Sequence, residues 1–581
     1  MKSALLIGIL MMVGATFAAP TYRNPIIPSD FSDPDPCVGA DGRVYMTASS
    51  FGAHPGLPIL VSDDLVNWTQ ITAAVASPTG THDEAPFSPQ HGKGVWAPAL
   101  RYRADKKEYV IYWGDPDRGI YRISAANPAG PWSEPRLVIA GQGLIDPCPI
   151  YDDDGRIYLA NAFAASRSRM NSIIVVRELN SEETAPLSEP VIVFDGIPSG
   201  DSTCEGPKFY KKDGEYWLFF PAGGVEKGWQ MALRARSPYG PYTARRVLEQ
   251  GKTAINGPHQ GGWIRRTITD TQGKGQTEDW FIHFRDQASF GRVVYLEPMT
   301  WDAQGWPVIG AKGEPVAEFC APLNGVDPQA PFIQKPFGGL DVSDEFNTSV
   351  LDSQWTFLGK HPIFSSAATS LGFYRLYATE VPRYSTSWEI PNRFVRRLPD
   401  MNFTATTKVT ITAKDVDQES GILLHGFTSY FFGLRSHKEE NKEGLSFRLV
   451  WTRDSFGELS DQVKKELFSD DSGISFEAKC QPAGLRAAYS CEIYLRVKVE
   501  AVPTEDIAQP KAIGQFSWST DGKNFTAYGE KFTIRPGKWI GSTLGFYSFA
   551  LSQDGFYNVR LPVLQTPDRG WIDIDWFRVT P

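Results

Sequence analysis

An acid followed at a fixed offset by a hydrophobic hairpin occurs three times in the first half of this chain. Asp33, in Phe31-Ser32-Asp33-Pro34-Asp35, stands twelve residues before Tyr45, where a hairpin strand begins after the turn Asp41-Gly42. Asp146, in Ile145-Asp146-Pro147-Cys148, stands twelve before Tyr158, after Gly155. Glu205, in Cys204-Glu205-Gly206-Pro207, stands twelve before Trp217, after Gly214. Three acids at equivalent places in three repeats constrain the fold strongly. Whatever brings the repeats into register around one axis brings the carboxylates together.

The repeat extends beyond the acids. Short apolar strand signals separated by Gly, Pro, Asn and Asp clusters dominate, and no long helical periodicity is present. Hairpin strands start at Tyr45, Tyr109, Tyr158, Trp217 and Trp280, giving five units between about residues 24 and 315. A repeat of roughly 50 residues suits a propeller, and four strands per unit predict five blades. A second signature follows several hairpins: Ser62 to Trp68, Asn127 to Trp132 and Ser237 to Tyr242 each read as a turn with an aromatic plug. In a propeller the first strand of each blade lines the axis. Asp33, Asp146 and Glu205 then converge from blades one, three and four, with Trp96 from blade two and His259 from blade five. A pair of β-sandwiches is the alternative, but it has no need of such a repeat.

From about Asp341 the style changes. Residues 302–340 are rich in Gly, Pro and Ala, and 319–340 read as a wrapping linker. Residues 406–412, 445–451, 491–499 and 513–519 alternate as an antiparallel sandwich does. The predicted organisation is all-β: a signal peptide over 1–18, a five-bladed β-propeller over 22–318, the linker, and a β-sandwich over 341–581. A chain of 581 residues exceeds what one core serves, which agrees. The acids Asp573 and Asp575 near the end read as a solvated face in preference to a calcium site.

Lys2, the apolar run Ala4 to Met12, and the small residues Thr16 and Ala18 fit a secretory signal cleaved after Ala18. The run is too short for a membrane span, and no later run reaches that length. The formal charge of −9 argues against nucleic acid or an anionic membrane as partner. In a secreted chain Asn67, Asn347, Asn402 and Asn524 are potential glycan acceptors. Six cysteines in so long a chain form no disulfide framework, but Cys480 and Cys491 lie close enough to staple one hairpin. Cys37, Cys148 and Cys204, each near an acid, read as small packing residues in preference to zinc ligands or a nucleophile.

Glycoside hydrolysis needs two carboxyl groups about the scissile bond, one protonated and one ionised. Three acids in one pocket raise one another's proton affinity and can meet that need. Trp96 and Phe51 supply an aromatic wall for the apolar face of a sugar ring. Spacing alone favours hydrolysis while leaving a calcium-holding or structural role for the trio open.

An ordered set of motifs narrows the choice: Asn24-Pro25-Ile26, Asp33-Pro34, Ser49-Ser50-Phe51, Pro55-Gly56, Ser62 to Trp68, Gly94-Val95-Trp96-Ala97-Pro98, Ile145-Asp146-Pro147, Asp152 to Gly155, Glu205-Gly206-Pro207, Gly257-Pro258-His259 and Phe290 to Val294. The set resembles glycoside hydrolase family 43, in the branch with an added C-terminal concanavalin-like (jelly-roll) sandwich. The resemblance implies that Asp33 is the general base, Glu205 the general acid, and Asp146 the carboxylate that tunes and orients the acid. It implies sugar contacts from Trp96, Phe51 and Arg292. It also implies a histidine at the axis, His259, beside a bound calcium held partly through water. The implied reaction is an inverting hydrolysis of terminal β-D-xylosyl or α-L-arabinofuranosyl residues in plant cell-wall oligosaccharides or polysaccharides. Alternatives are an arabinan-directed hydrolase and an inactive propeller lectin. Fructosidases share the propeller, but Ser32-Asp33-Pro34-Asp35 and Ile145-Asp146-Pro147 depart from their motifs. Asp35 and Asp30 compete for the base assignment, and Asp33 is preferred because its offset matches those of the other two acids. The added sandwich either packs on the propeller and narrows the pocket or acts as an independent carbohydrate-binding module. The Pro-rich link favours packing.

Overall fold

The computed structural model describes residues 19–76, 92–269, 273–348, 350–358, 365–368, 372–381, 390, 393–440, 442–455, 466–483, 486–504, 510–551 and 569–581. At 365–368, 455, 466–472, 480–483 and 486 it describes the backbone alone. The signal-peptide expectation, 1–18, lies outside the described residues.

Five four-stranded antiparallel sheets follow one another. Blade one uses Asp35–Val38, Val44–Thr47, Gly56–Ser62 and Thr69–Val75; blade two runs from Trp96–Arg103 to Arg136–Ala140. Blade three runs from Leu144–Tyr151 to Val191–Asp195, blade four from Lys208–Lys212 to Thr243–Leu248, and blade five from Gly261–Thr269 to Pro307–Ile309. The second strands, such as Glu108–Asp115 and Glu215–Ala222, are buried on both faces. Neighbouring blades cover them from either side, so they read as unbroken apolar runs.

The aromatic plugs are anchored in one way. The indole of Trp68 donates to Leu65 O (2.9 Å), that of Trp132 to Pro128 O (3.2 Å), and the Tyr242 hydroxyl to Pro238 O (2.9 Å). Each ring fills a blade's outer turn and satisfies its polar tip on a carbonyl three or four residues upstream. The N-terminal strap closes the ring: Thr21–Arg23 pairs with Glu318–Cys320, and Ile27 bridges Val294 of blade five.

The C-terminal half forms two packed sheets, antiparallel apart from the parallel pair Thr379–Val381 with Thr543–Leu551. One includes Arg393–Arg397, Gln418–His425, Thr428–His437, Ser446–Ser455 and Thr543–Leu551. The other includes Phe403–Ala413, Arg486–Val502, Lys511–Ser519 and Gly570–Thr580. The halves are not beads on a string. Ala53–His54 of the propeller pairs with Thr356–Leu358 at the edge of the first sheet. One hydrophobic cluster runs from Phe31, Trp68 and Val294 into Trp355, Phe394, Phe546 and Phe577. Packing on the propeller is therefore the observed arrangement.

Two expectations are corrected. The hairpin register opposes Cys480 to Tyr489 and leaves Cys480 two positions out of step with Cys491. Diagonal neighbours stand about 7–8 Å apart, too far for a disulfide, and Cys491 is a free, buried thiol. Asp573 and Asp575 are also not a solvated acidic face. Asp573 is buried and holds Arg375 in a bidentate pair (2.6 and 2.8 Å), and Asp575 pairs with Lys408 (2.8 Å).

Trp355 is fully buried, stacks on Phe394 with centroids 4.6 Å apart, and donates its indole N–H to Asp344 (2.8 Å). Trp355→Ala removes the largest ring at the centre of the sandwich and is expected to cost about 3–5 kcal/mol. Urea unfolding followed by fluorescence measures this, and a loss below about 1 kcal/mol would contradict the placement.

Candidate active site

The three acids emerge at one end of the propeller axis, each just before or early in the first strand of its blade. Asp33 (φ +55°) and Asp146 (φ +56°) adopt left-handed backbone conformations that non-glycine residues rarely hold. Each is locked by side-chain bonds. Asp33 Oδ2 accepts from Ser49 Oγ (2.5 Å) and Ser32 Oγ (3.0 Å), while Oδ1 lies 3.7 Å from Arg292 Nη1. Arg292 Nη1 in turn donates to Ser32 Oγ (2.7 Å), and its guanidinium packs over the Phe284 ring. Asp146 Oδ2 accepts the Gly206 N–H (2.7 Å) and the Gln260 amide (3.3 Å). The backbone beside Glu205 is thus pinned by Asp146. Gly206 is required here: its φ is +61°, and a Cβ would stand 2.5 Å from the Gln260 side chain.

The carboxylates act on one another. Burial first, then the charges of Glu205 and Asp33, push Asp146 well above the usual carboxylate range. Burial, then Asp33, push Glu205 to about 7, while Arg292 and Gln260 pull it back. Protein surrounds Glu205, yet its side chain keeps 34 % of its surface open. Asp33 and Asp146 are buried. The structure thus brings the three predicted acids into one cluster. The competing acids are spoken for: Asp35 lies in an ion pair with Arg101 (2.6 Å), and Asp30 accepts two backbone N–H groups.

The two aromatic residues read from the sequence lie side by side. Phe51 and Trp96 meet edge-on with centroids 6.3 Å apart, and the Trp96 indole donates to Gly92 O (3.1 Å). The sandwich adds a third ring. Trp539, 48 % exposed, lies edge-on to Trp96 at 6.5 Å. Its loop is tied to the propeller by Gly541 N–H to Asp30 Oδ2 (2.9 Å) and by Ser542 N–H to Ser289 O (2.8 Å). A Cβ on Gly541 would stand 2.6 Å from Gly291 N, so the approach needs glycine.

His259 is buried, with Nε2 3.6 Å from Glu205 Oε1 and, among the described residues, no hydrogen-bond partner for either ring nitrogen. Burial and the neighbouring Arg292 hold its pKa well below the ordinary value, so the ring is neutral. Among the described residues no group of three His, Cys, Asp or Glu could hold a metal ion. Calcium takes six to eight oxygen ligands. The unpartnered imidazole fits a hydrated cation approached through water, not a cage built by the protein.

Reading the sequence missed several contributors. Ser49 lies inside a motif and Gln260 directly after one, yet nothing in the sequence marks their bonds to the acids, and Ser32 reads only as the neighbour of Asp33. Asp30 was set aside by its offset, and its role as the anchor for the sandwich has no local signal. Trp539 has none either, because its position beside Trp96 exists only when the domains pack.

Comparisons with known proteins place the two domains in known families. Residues 22–307 match the model for glycosyl hydrolases family 43, and residues 343–580 match that for the beta xylosidase C-terminal concanavalin A-like domain. A putative beta-xylosidase of Xylanibacter ruminicola is 38 % identical over 342 residues, which span 58 % of this chain and 58 % of that relative's length. A non-reducing end alpha-L-arabinofuranosidase of Bacteroides ovatus is 31 % identical over 446 residues, covering 72 % of this chain and 76 % of its own length. The solved xylan beta-1,4-xylosidase of Bacillus halodurans shares the fold, with a TM-score of 0.71 at 20 % identity over 96 % of this chain and 100 % of that one.

The carboxyl carbon of Glu205, assigned by its loss in Glu205→Gln, is expected to titrate near 7 by NMR. A midpoint in the ordinary carboxylate range would contradict the burial and charge crowding described above.

Proposed function

The chain belongs to glycosyl hydrolases family 43, and from that premise we propose that it is a secreted, inverting exo-glycosidase. It removes terminal β-D-xylosyl residues, and α-L-arabinofuranosyl residues as a side activity, from plant cell-wall oligosaccharides or polysaccharides. The supporting observation is the asymmetry of the acid cluster. Glu205 is raised to about 7, while Asp33 is fixed by two hydroxyls that bond one oxygen and leave the other beside Arg292.

In this reading Asp33 Oδ1 takes a proton from water as that water attacks the anomeric carbon. Glu205 gives its proton to the departing glycosidic oxygen as the bond to the leaving sugar breaks. Direct displacement requires the two carboxyl groups to stand roughly 6.5–9.5 Å apart, so that water fits between them. Asp146 holds the Glu205 backbone through Gly206 N–H, and its crowding favours a proton on the pair; the two titrate as a unit. Because Glu205 must be protonated, activity falls as pH rises through about 7. Arg292 steers Asp33 and meets sugar hydroxyls. Phe51, Trp96 and Trp539 close the apolar sides, which suits one terminal sugar. A hydrated calcium ion at the axis would face His259 through water, and it would supply a fixed orientation of the imidazole. Secretion rests on the Lys2, Ala4 to Met12 and Ala18 pattern.

Glu205→Gln is expected to lose about 10²–10⁴-fold on alkyl xylosides and less than about tenfold on an aryl xyloside with an acidic phenol. Asp33→Asn is expected to be inactive on both. Equal losses for Glu205→Gln would remove its role as proton donor. The first sugar released from a β-xyloside, followed by proton NMR, should be the α anomer; initial β-xylose would exclude inversion. In the same assay a chelator should slow both substrates, and calcium should restore the rate; indifference to chelation would remove the cation.

Trp539→Ala is expected to raise KM for xylobiose several-fold while leaving that for the aryl xyloside within about twofold. In the proposed reading Trp539 borders the leaving sugar, where an aromatic contact is worth about 0.5–1.5 kcal/mol. Equal KM changes would place Trp539 elsewhere.

A further inference from the structure

Directly beneath the three acids lies a second layer of buried groups that the reaction does not use. Asp35, two residues after Asp33, is completely buried. It accepts the Leu100 N–H (2.7 Å) and an Arg101 N–H (2.6 Å) from blade two. Cys148, two residues after Asp146, receives the other end of Arg101 (2.7 Å) and the Phe209 N–H (3.2 Å) on its sulfur. Lys208, three residues after Glu205, is 1 % exposed; its ammonium donates to Pro98 O (2.8 Å) and lies 3.4 Å from Asp35 Oδ1. Tyr210, under the Arg101 guanidinium, accepts the Trp263 N–H of blade five (3.0 Å). Polar contacts thus join blade one to two, two to three, three to four and four to five one layer below the acids, and Lys208 also ties blade four to blade one.

Lysine is almost never buried without a purpose, because an ammonium loses its hydration there. A blade core needs none: the equivalent space in other layers is filled by Ile, Val, Phe and Trp. Lys208 opens the strand that directly follows Glu205 and reaches two other blades at once. Through Pro98 it holds the strand of Trp96, and through Asp35 the strand of Asp33.

We propose that Lys208 is a positioning residue for the proton donor. Its buried ammonium fixes the blade-four strand against blades one and two and so sets where the Glu205 carboxyl meets the leaving oxygen. The layer's remaining titratable groups, Asp35, Arg101, Cys148 and Tyr210, face the same ammonium or its partners. Asp146, above, feels its charge. The inference rests on Glu205 being the acid.

The test compares wild type, Lys208→Met and Lys208→Gln on an alkyl and an activated aryl xyloside, with circular dichroism and the unfolding midpoint recorded for each. Gln keeps an N–H for Pro98 without the charge, and it is the deciding variant where Met prevents folding. A misplaced donor hurts most where protonation of the leaving group matters. The expected result is a loss in kcat of tenfold or more on the alkyl substrate, at least fivefold larger than the loss on the aryl substrate, with KM within about threefold. Equal losses on both substrates, or native rates in a folded variant, would reduce Lys208 to a scaffold brace and overturn the proposal. Glu205→Gln is run alongside: should it show no dependence on leaving group, the assignment of the acid fails on its own, whatever Lys208 does.

Discussion

Placing three carboxyl groups in one water-poor cavity is unfavourable, and much of the propeller's interior can be understood as the answer to that cost. Like charges at close range in low dielectric cannot all ionise. The protein meets the problem with two hydroxyls on Asp33, a guanidinium from Arg292, and a backbone N–H and an amide on Asp146. Glu205 receives the least compensation and keeps the greatest opening to solvent. That inequality sets Glu205 apart in an otherwise similar trio, which is what the proposed division into acid and base needs.

The backbone shares the burden. Left-handed conformations at Asp33 and Asp146 each carry strain of order 1–3 kcal/mol, and they aim the two carboxyls from the turns that precede or begin their strands. Such strain persists only where surrounding contacts over-determine the geometry. Here those contacts are the hydroxyl pair above and the buried ionic layer below. A second charge cluster, Glu183 with Arg103, Arg122, Tyr112 and Tyr151, bonds blade two to blade three further out. Its partners are fully matched, so it reads as a seam and not as a site.

The sandwich acts on the site through contact, not tether. Asp30 bonds Gly541 across the domain boundary and, through its other oxygen, the N–H of Arg292. One buried carboxylate therefore couples the loop carrying Trp539 to the residue that steers Asp33. A shared hydrophobic cluster from Phe31 to Phe577 makes the two halves one body at this seam. The packing brings Trp539 of the second domain beside Trp96, and removing the domain would expose the shared cluster.

The repeat, the blade count, the clustering of the three acids and the pairing of Phe51 with Trp96 were legible in the chain, because strand periodicity and turn chemistry are local. The twelve-residue offset is local too, since a first strand and its turn have nearly fixed length. Tertiary structure alone decided that Asp35 is spent on Arg101 and Lys208, that Cys491 stays a free thiol, and that Trp539 stands beside Trp96. In each case the deciding partner lies on another blade, on a paired strand whose register no motif announces, or in the other domain. A charge's role depends on which opposite charge reaches it, and a cysteine's on a register shift of two residues. Contacts of that kind come into being only when strands far apart in the chain are folded into one core.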